Sequence, residues 1–215
     1  GIPEGGYYSW SDHGRVAARH RAQAEVSVPR KKNAWARLVR AKIEGQASVL
    51  ENLKIRGSGE LLALADQVRS GDPGNVEAQA ARLYWSRTLG RGVGRQPAAG
   101  QLIGANACLD YGYAVLRGHL MRAVLAAGLA PALGVFHRGR GNAFALADDL
   151  IEPFRPAIDE VALPLPATAS PSDREVKQLL VAAASQRFDV DGHGIPAVAE
   201  ALAQSFGRYI EGDID

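Results

Sequence analysis

The chain has 215 residues, 25 Lys+Arg against 23 Asp+Glu, and one cysteine. That length suits one domain, with or without a small appendage, and 47% apolar with 22% charged residues excludes disorder. The single Cys108 excludes an internal disulfide framework and a Cys-rich zinc module, which makes a reducing cytoplasm the expected setting. Arg, His and Asp interrupt every apolar run before it reaches the roughly 18 residues of a membrane span, and GIPEGGYYSW carries no secretory leader pattern.

The net charge of +2 conceals a segregation. Residues 1–140 hold 20 basic and 10 acidic side chains, and residues 141–215 hold 5 and 13. Twenty of the 25 bases are Arg, whose planar fork suits phosphate, so the first part is expected to face a polyanion and the second to gather cations. Solvated helix faces would give the same count.

In chain order, Trp35, Leu38, Val39, Ile43, Ala47, Leu50 and Leu53 recur at three- and four-residue steps, which predicts an amphipathic helix over Lys32–Leu53. A short helix, Glu60–Arg69, follows with Ser58 as its cap, then a turn at Ser70–Gly74. Asn75 is the expected cap of a helix Val76–Leu89. The loop Gly90–Pro97 is rich in Gly and Arg. It is not a dinucleotide fingerprint, because no strand precedes it. Ala98–Ala127 reads as one long buried helix stopped by Gly128. An apolar piece, Leu129–Phe136, ends at His137, and the next helix starts at Asn142 and is broken by Pro153 and Pro156. A Pro-rich linker, Leu163–Pro171, precedes helices at Ser172–Arg187 and Ile195–Ile210. Strand signals are confined to the first ten residues, so the fold class is all-α.

Three segments place acids, a His and Arg residues beside turns. Glu77 lies in a first helical turn, where an acid usually just complements the helix dipole. His137 ends an apolar run, a common place for a hydrogen-bonded helix-end residue. Asp149, Glu152 and Arg155 are three apart and share a face, as a surface ion-pair ladder also would. Two carboxylates and one imidazole together suit Mg²⁺ or Mn²⁺ with positions left open for substrate oxygens.

The runs GDPGNVEAQAARLYW and NACLDYGYAVLRGHLMRAVLAAGLAPALGVFHRGRGNAFALADDLIEPFRPAIDEV resemble the CRISPR-associated integrase, the metal-dependent subunit of spacer acquisition, in the branch found with single-protein RNA-guided effectors. The resemblance implies a metal site of Glu77, His137 and Glu152, with Asp149, Asn106, Tyr111 and Arg155 supporting it. It implies an endonuclease and integrase that joins DNA 3′-hydroxyl ends to a CRISPR repeat by transesterification, with Mg²⁺ or Mn²⁺. Double-stranded spacer and repeat DNA, a homodimer or higher assembly, and a small CRISPR-associated protein bridging dimers are the implied partners. No membrane partner is expected. Arg82, Arg91, Arg95, Arg138 and Arg140 adjoin the three ligands and are expected to hold phosphates. Asp110 stands where the family usually has Asn. The family begins with a β-rich domain that is largely absent from this chain, so residues 1–28 are expected to be its remnant or linker and 29–215 the helical catalytic domain. A stand-alone transposase-like integrase and a non-catalytic DNA-binding assembly subunit are the alternatives.

Asp189, Asp191, Gly194 and Glu200 fall on an EF-hand spacing, but Pro196 and His193 stand where that loop needs other residues, so calcium is not expected there.

Overall fold

The computed structural model describes residues 13–90, 94–97, 100–137 and 139–215. Helices α1 (Val16–Glu25), α2 (Val28–Asn52), α3 (Ser58–Ala65), α4 (Val76–Thr88), α5 (Gly104–Ala126), α6 (Ala145–Leu150), α7 (Arg155–Ala162), α8 (Arg174–Ala183) and α9 (Ile195–Glu211) carry the fold, with a 3-10 turn at Glu152–Phe154 between α6 and α7. Among the described residues there is no strand, only an isolated bridge between Arg187 and Gly194.

Two long helices organise the rest. Helix α2 starts at Ser27, whose hydroxyl accepts from the Arg30 N–H, and Pro29 sits in its first turn. Its stripe of Trp35, Leu38, Val39, Ile43, Ala47 and Leu50 is buried, against α3, α4, the 3-10 turn and α7. Full burial of one such side chain contributes about 1.5–3 kcal/mol, so this stripe is the main driving force for the first half. Helix α5 serves the second half, packing on α6, α7, α8 and α9. Gly45 lets α2 approach α7: a Cβ there would lie 2.8 Å from Pro156 Cγ.

The boundaries depart from expectation where backbone chemistry overrides periodicity. Helix α5 begins at Gly104, not Ala98. Leu102 and Ile103 are 77% and 57% exposed and gain nothing from a helix. Gly100 and Gly104 take positive φ, and the Gly104 N–H bonds to the Ala169 carbonyl at 2.8 Å. Helix α8 ends at Ala183 rather than Arg187, because Phe188 and Ile195 donate to the carbonyls of His193 and Gln186 in a small hairpin. Gly57, not Ser58, is the N-cap of α3. The break at Pro153 and Pro156 occurs as read: α6 stops, a 3-10 turn intervenes, and α7 restarts.

Helix α1 lies within the segment 1–28 and is packed on α9. The buried Arg19 guanidinium donates to the Ala127 carbonyl and, at 2.8 Å, to Gln204 Oε1. Gln23 donates to the Ala130 carbonyl at 3.0 Å and accepts from the Ala130 N–H at 2.7 Å. That pair pins the start of the loop that carries His137.

Candidate active site

Glu77 is placed by its helix start. Asn75 is left-handed, with φ of 50°, and makes no capping bond. Asp72 caps α4 instead, accepting from the Val76 and Glu77 N–H groups at 2.8 and 3.0 Å. Capping therefore fixes Glu77 through its own backbone.

Glu152 is placed by the break before Pro153. Its side chain is only 6% exposed, and one oxygen accepts from Arg155 Nε at 2.9 Å. The other oxygen, Oε2, is buried and has no hydrogen bond of good geometry. What it has is an ion contact: Lys42 Nζ lies 2.6 Å away, and the same ammonium is 2.7 Å from Glu77 Oε1. Lys42 comes from the middle of α2, and the sequence pattern does not nominate it, because bases between the apolar positions of an amphipathic helix belong by default to its solvent face. Its spacing from Trp35, two helical turns earlier on the same face, is the signal that places it inward. Burial opposes the Lys42 charge, but the Glu152 and Glu77 carboxylates outweigh it and raise its pKa. Burial likewise opposes the Glu152 charge, yet Lys42 and Arg155 hold its carboxyl below the ordinary range.

His137 is held by Asp149. The fully buried carboxylate accepts from the backbone N–H groups of Val135, Phe136 and His137, and meets His137 Nδ1 at 2.7 Å. That contact commits Nδ1 and leaves Nε2 as the nitrogen for a ligand or a proton. The hydrogen bond to Asp149 raises the His137 pKa against the effect of burial, with the Asp149, Glu152 and Asp148 charges adding to it. Gly134 is required by close approach, since a Cβ there would lie 2.5 Å from the His137 carbonyl oxygen and 2.8 Å from Asp149 Oδ2. Beside His137, Phe136 is 53% exposed and stacks at 4.3 Å on the buried Trp35. Arg117 and Asn142 both bind Asp148, tying the far end of the loop to α5.

A second layer lies beneath. Tyr84, two turns beyond Glu77 on α4, donates to Asp159 at 2.9 Å, and Tyr113 donates to the other oxygen. Burial pushes the Asp159 carboxyl up to about 6, although both tyrosines and Arg155 oppose that. Arg155 lies over the Tyr113 ring at 4.6 Å, which joins this layer to Glu152.

The structure thus brings Glu77 and Glu152 to one ammonium, puts His137 within the field of Glu152, and sets Asp149 and Arg155 as their direct supports. Asn106 accepts from Arg95 at 3.0 Å and from the Gln96 N–H at 3.1 Å, and Arg95 lies over the same Tyr113 ring as Arg155. Tyr111 is half-buried against the core, and Tyr113 is the tyrosine that contacts Arg155. Of the five arginines, Arg82 and Arg140 are exposed. The Arg95 side chain, 9% exposed, turns inward to Asp110. Arg91 and Arg138 lie outside the described residues.

Among the described residues, the donor atoms of Asp189, Asp191 and His193 gather within 4.8 Å of one another at the exposed tip of the last hairpin. Asp189 already binds the His193 ring and N–H, at 2.8 and 2.7 Å, so the turn accounts for the cluster. No helix of the described residues is long and apolar enough to cross a membrane.

An all-helical body that brings two carboxylates to one buried ammonium, with an acid-held imidazole in the field of one of them, defines the class: a helical domain with a candidate acid–histidine site. The chain belongs to the Cas1 family, since the family described as "CRISPR associated protein Cas1" matches residues 3–175. It is 41% identical over 159 residues to the CRISPR-associated endonuclease Cas1 of Neisseria meningitidis serogroup C (strain 8013), a match covering 74% of this chain and 51% of that protein. With the CRISPR-associated endonuclease Cas1 1 of Thermus thermophilus it shares 34% over 142 residues, or 63% and 42% of the two chains. The chain therefore spans about half the length of the curated relatives it matches. Among solved structures it is similar to a casposase bound to integration product (TM-score 0.76, 18% identity, 94% of this chain and 67% of that one). It is also similar to a chain of a partial Cas6-RT-Cas1–Cas2 complex (TM-score 0.77, 16% identity, 95% and 73%). At these identities the likeness speaks for the fold.

Proposed function

We propose that residues 29–215 are the helical catalytic domain of a metal-dependent DNA integrase and endonuclease of CRISPR adaptation. In this reading it joins the 3′-hydroxyl ends of spacer DNA to the CRISPR repeat by transesterification. The observation that carries the reading is the convergence of Glu77 and Glu152, from distant parts of the chain, on a single cation beside an oriented His137. The relatives' name, CRISPR-associated endonuclease Cas1, supports the endonuclease part of this reading.

The donors fit a divalent ion. Glu152 Oε2 is buried and already faces a cation, the Lys42 ammonium at 2.6 Å, and two carboxylates with an imidazole Nε2 form the oxygen-and-nitrogen set that Mg²⁺ or Mn²⁺ accepts. Glu77, Glu152 and His137 would hold the ion, which when bound neutralises phosphate charge and activates the attacking oxygen. The chain's own residues do the rest. Asp149 orients the His137 ring, and Arg155 fixes Glu152. Arg82 and Arg140 offer exposed guanidinium groups to the phosphates, and the basic character of residues 1–140 extends that surface. Arg91, Arg95 and Arg138 belong to the same basic segments.

Residues 1–28 are, in this reading, the remnant of a β-rich domain or a linker to one, with α1 docked on the catalytic body. The working assembly is a homodimer or higher oligomer on double-stranded DNA, bridged by a small CRISPR-associated protein and placed in the cytoplasm. The likeness to a chain from a complex of Cas1 with Cas2 supports an assembly of that kind.

The test is strand transfer of a short labelled duplex with free 3′-hydroxyl ends into a plasmid carrying a CRISPR repeat. It is run with Mg²⁺, Mn²⁺ or EDTA, with and without the small partner, beside His137→Ala. Metal-dependent products that vanish in the variant are expected. Products that persist in EDTA or in His137→Ala overturn the assignment.

A further inference from the structure

We propose that Lys42 is the built-in counter-ion of this site, a positioning residue that holds Glu77 and Glu152 together until a divalent cation exchanges with its ammonium. The inference rests on reading Glu77 and Glu152 as metal ligands.

The geometry is that of a cation site already filled from within. Lys42 Nζ is 2.7 Å from Glu77 Oε1 and 2.6 Å from Glu152 Oε2, and its side chain is only 14% exposed. Glu152 Oε2 has no hydrogen bond to add to that contact. Two carboxylates face two cations here, Lys42 and Arg155, and the buried Asp159 beneath them adds a negative charge above about pH 6. Placing a divalent ion among all four groups would crowd it against the Lys42 ammonium and leave excess positive charge in a largely buried place even with Asp159 ionised, which is costly. Exchange avoids most of that cost, so one cation must leave.

Lys42 is the one able to leave. Arg155 is bonded to the opposite oxygen of Glu152 and lies over the Tyr113 ring at 4.6 Å. The Lys42 ammonium is a compact charge at the end of a flexible stem, and among the described residues no aromatic ring lies beneath it. The donor set is also more open than a filled metal site. Among the described residues the only set of three or more acid or histidine donors within 4.8 Å of one another is the exposed one at Asp189, so Glu77, His137 and Glu152 stand further apart than ligands around an ion. Without Lys42 or a metal, two facing carboxylates would repel and the helix start that carries Glu77 would lose its tie to the turn that carries Glu152.

An ordinary structural ion pair would look the same at rest and differ in its response to metal. The experiment uses the full chain, its Lys42→Met and Lys42→Arg variants, and Glu152→Gln. Mn²⁺ binding is followed through the spectroscopic signal of the free aqueous ion, and thermal unfolding is recorded in EDTA and in Mn²⁺. Lys42→Met is expected to melt lower than the parent in EDTA, to bind Mn²⁺ several-fold more tightly, and to recover its lost melting temperature when Mn²⁺ is added. Lys42→Arg, whose fork holds carboxylates in two places, is expected to bind Mn²⁺ more weakly than the parent. The order Met, parent, Arg in falling affinity supports exchange, and the parent-against-Arg arm decides it if the Met variant does not fold. Unchanged affinity in both variants, or weaker binding in Lys42→Met, overturns the proposal while leaving the metal site standing. A parent that binds no Mn²⁺, or binds it as well after Glu152→Gln, overturns the metal reading and this proposal together.

Discussion

Asp149 holds His137 twice, at the ring Nδ1 at 2.7 Å and at the backbone N–H at 3.1 Å. One buried carboxylate thus sets both the path of the loop and the orientation of the imidazole, while also receiving the N–H groups of Val135 and Phe136. Asp149→Ala leaves three backbone donors and a ring nitrogen without that partner. Breaking such a buried charge network costs about 3–5 kcal/mol, and urea denaturation should show a loss of that order. Asp149→Asn keeps the volume and part of the acceptor set, so it should lose less stability while still failing to restore strand transfer. Equal stability of Asp149→Ala and parent would rule out this role for the carboxylate.

Gly134 tests the same loop from the other side. A methyl group there would press on the His137 carbonyl and on Asp149, neither of which has room to yield. Gly134→Ala should therefore cost about 1–3 kcal/mol, the usual penalty of overpacking, and reduce strand transfer by more than its stability loss explains. Gly141→Ala is the control, because nothing lies within 4 Å of a Cβ at that position and its φ is not positive. It should melt like the parent.

Asp159 supplies the pH dependence. Its carboxyl is raised to about 6 by burial, above the ordinary 3.8, so the folded protein binds a proton there that the unfolded chain has released. The stability this confers is complete below about pH 3.8 and is lost as pH rises through about 6, a span worth on the order of 3 kcal/mol. Asp159→Asn cannot ionise and keeps one acceptor oxygen, so one tyrosine hydroxyl must turn to accept from the amide N–H instead of donating. The stability difference between parent and variant should move against the parent from pH 4 to pH 6.5 and then level off. A difference that stays flat across that window, measured by denaturation at each pH, removes the buried-acid account.

Much of the helical order was legible, because α2, α5 and α9 bury apolar residues at helical steps and Pro153 and Pro156 leave the chain no way to continue α6. The acids and the histidine were legible chiefly through a resemblance of motifs, since in isolation Glu77 reads as a dipole partner and His137 as a loop end. Lys42 was not legible, because a basic residue inside an amphipathic helix is assigned to water until its neighbours are known. Nor was the cap of α4: Asn75 is the residue that composition nominates, but its left-handed backbone turns it away and lets Asp72 reach both N–H groups. The start of α5 was misplaced because Leu102 and Ile103 are apolar in sequence yet stay exposed, and Gly100 and Gly104 take positive φ.

The arginines divide by partner, and salt separates them. Arg95 was expected to meet phosphate, yet its guanidinium is paired with Asp110 and bonded to Asn106, and it lies over the Tyr113 ring at 5.4 Å. The Asp110 that replaces the family's Asn therefore has a use inside the molecule, anchoring the loop before α5. Arg95→Ala should lower the melting temperature and leave the salt dependence of DNA binding where it was. Arg82 and Arg140 are exposed, and neutralising either should leave the fold intact and reduce the slope of log K against log[salt] by about 1 each. Binding isotherms for a short duplex at four salt concentrations, beside melting curves for all three variants, decide the matter. A slope that falls in Arg95→Ala and holds in the other two would reverse the division and place the phosphate path along the loop before α5.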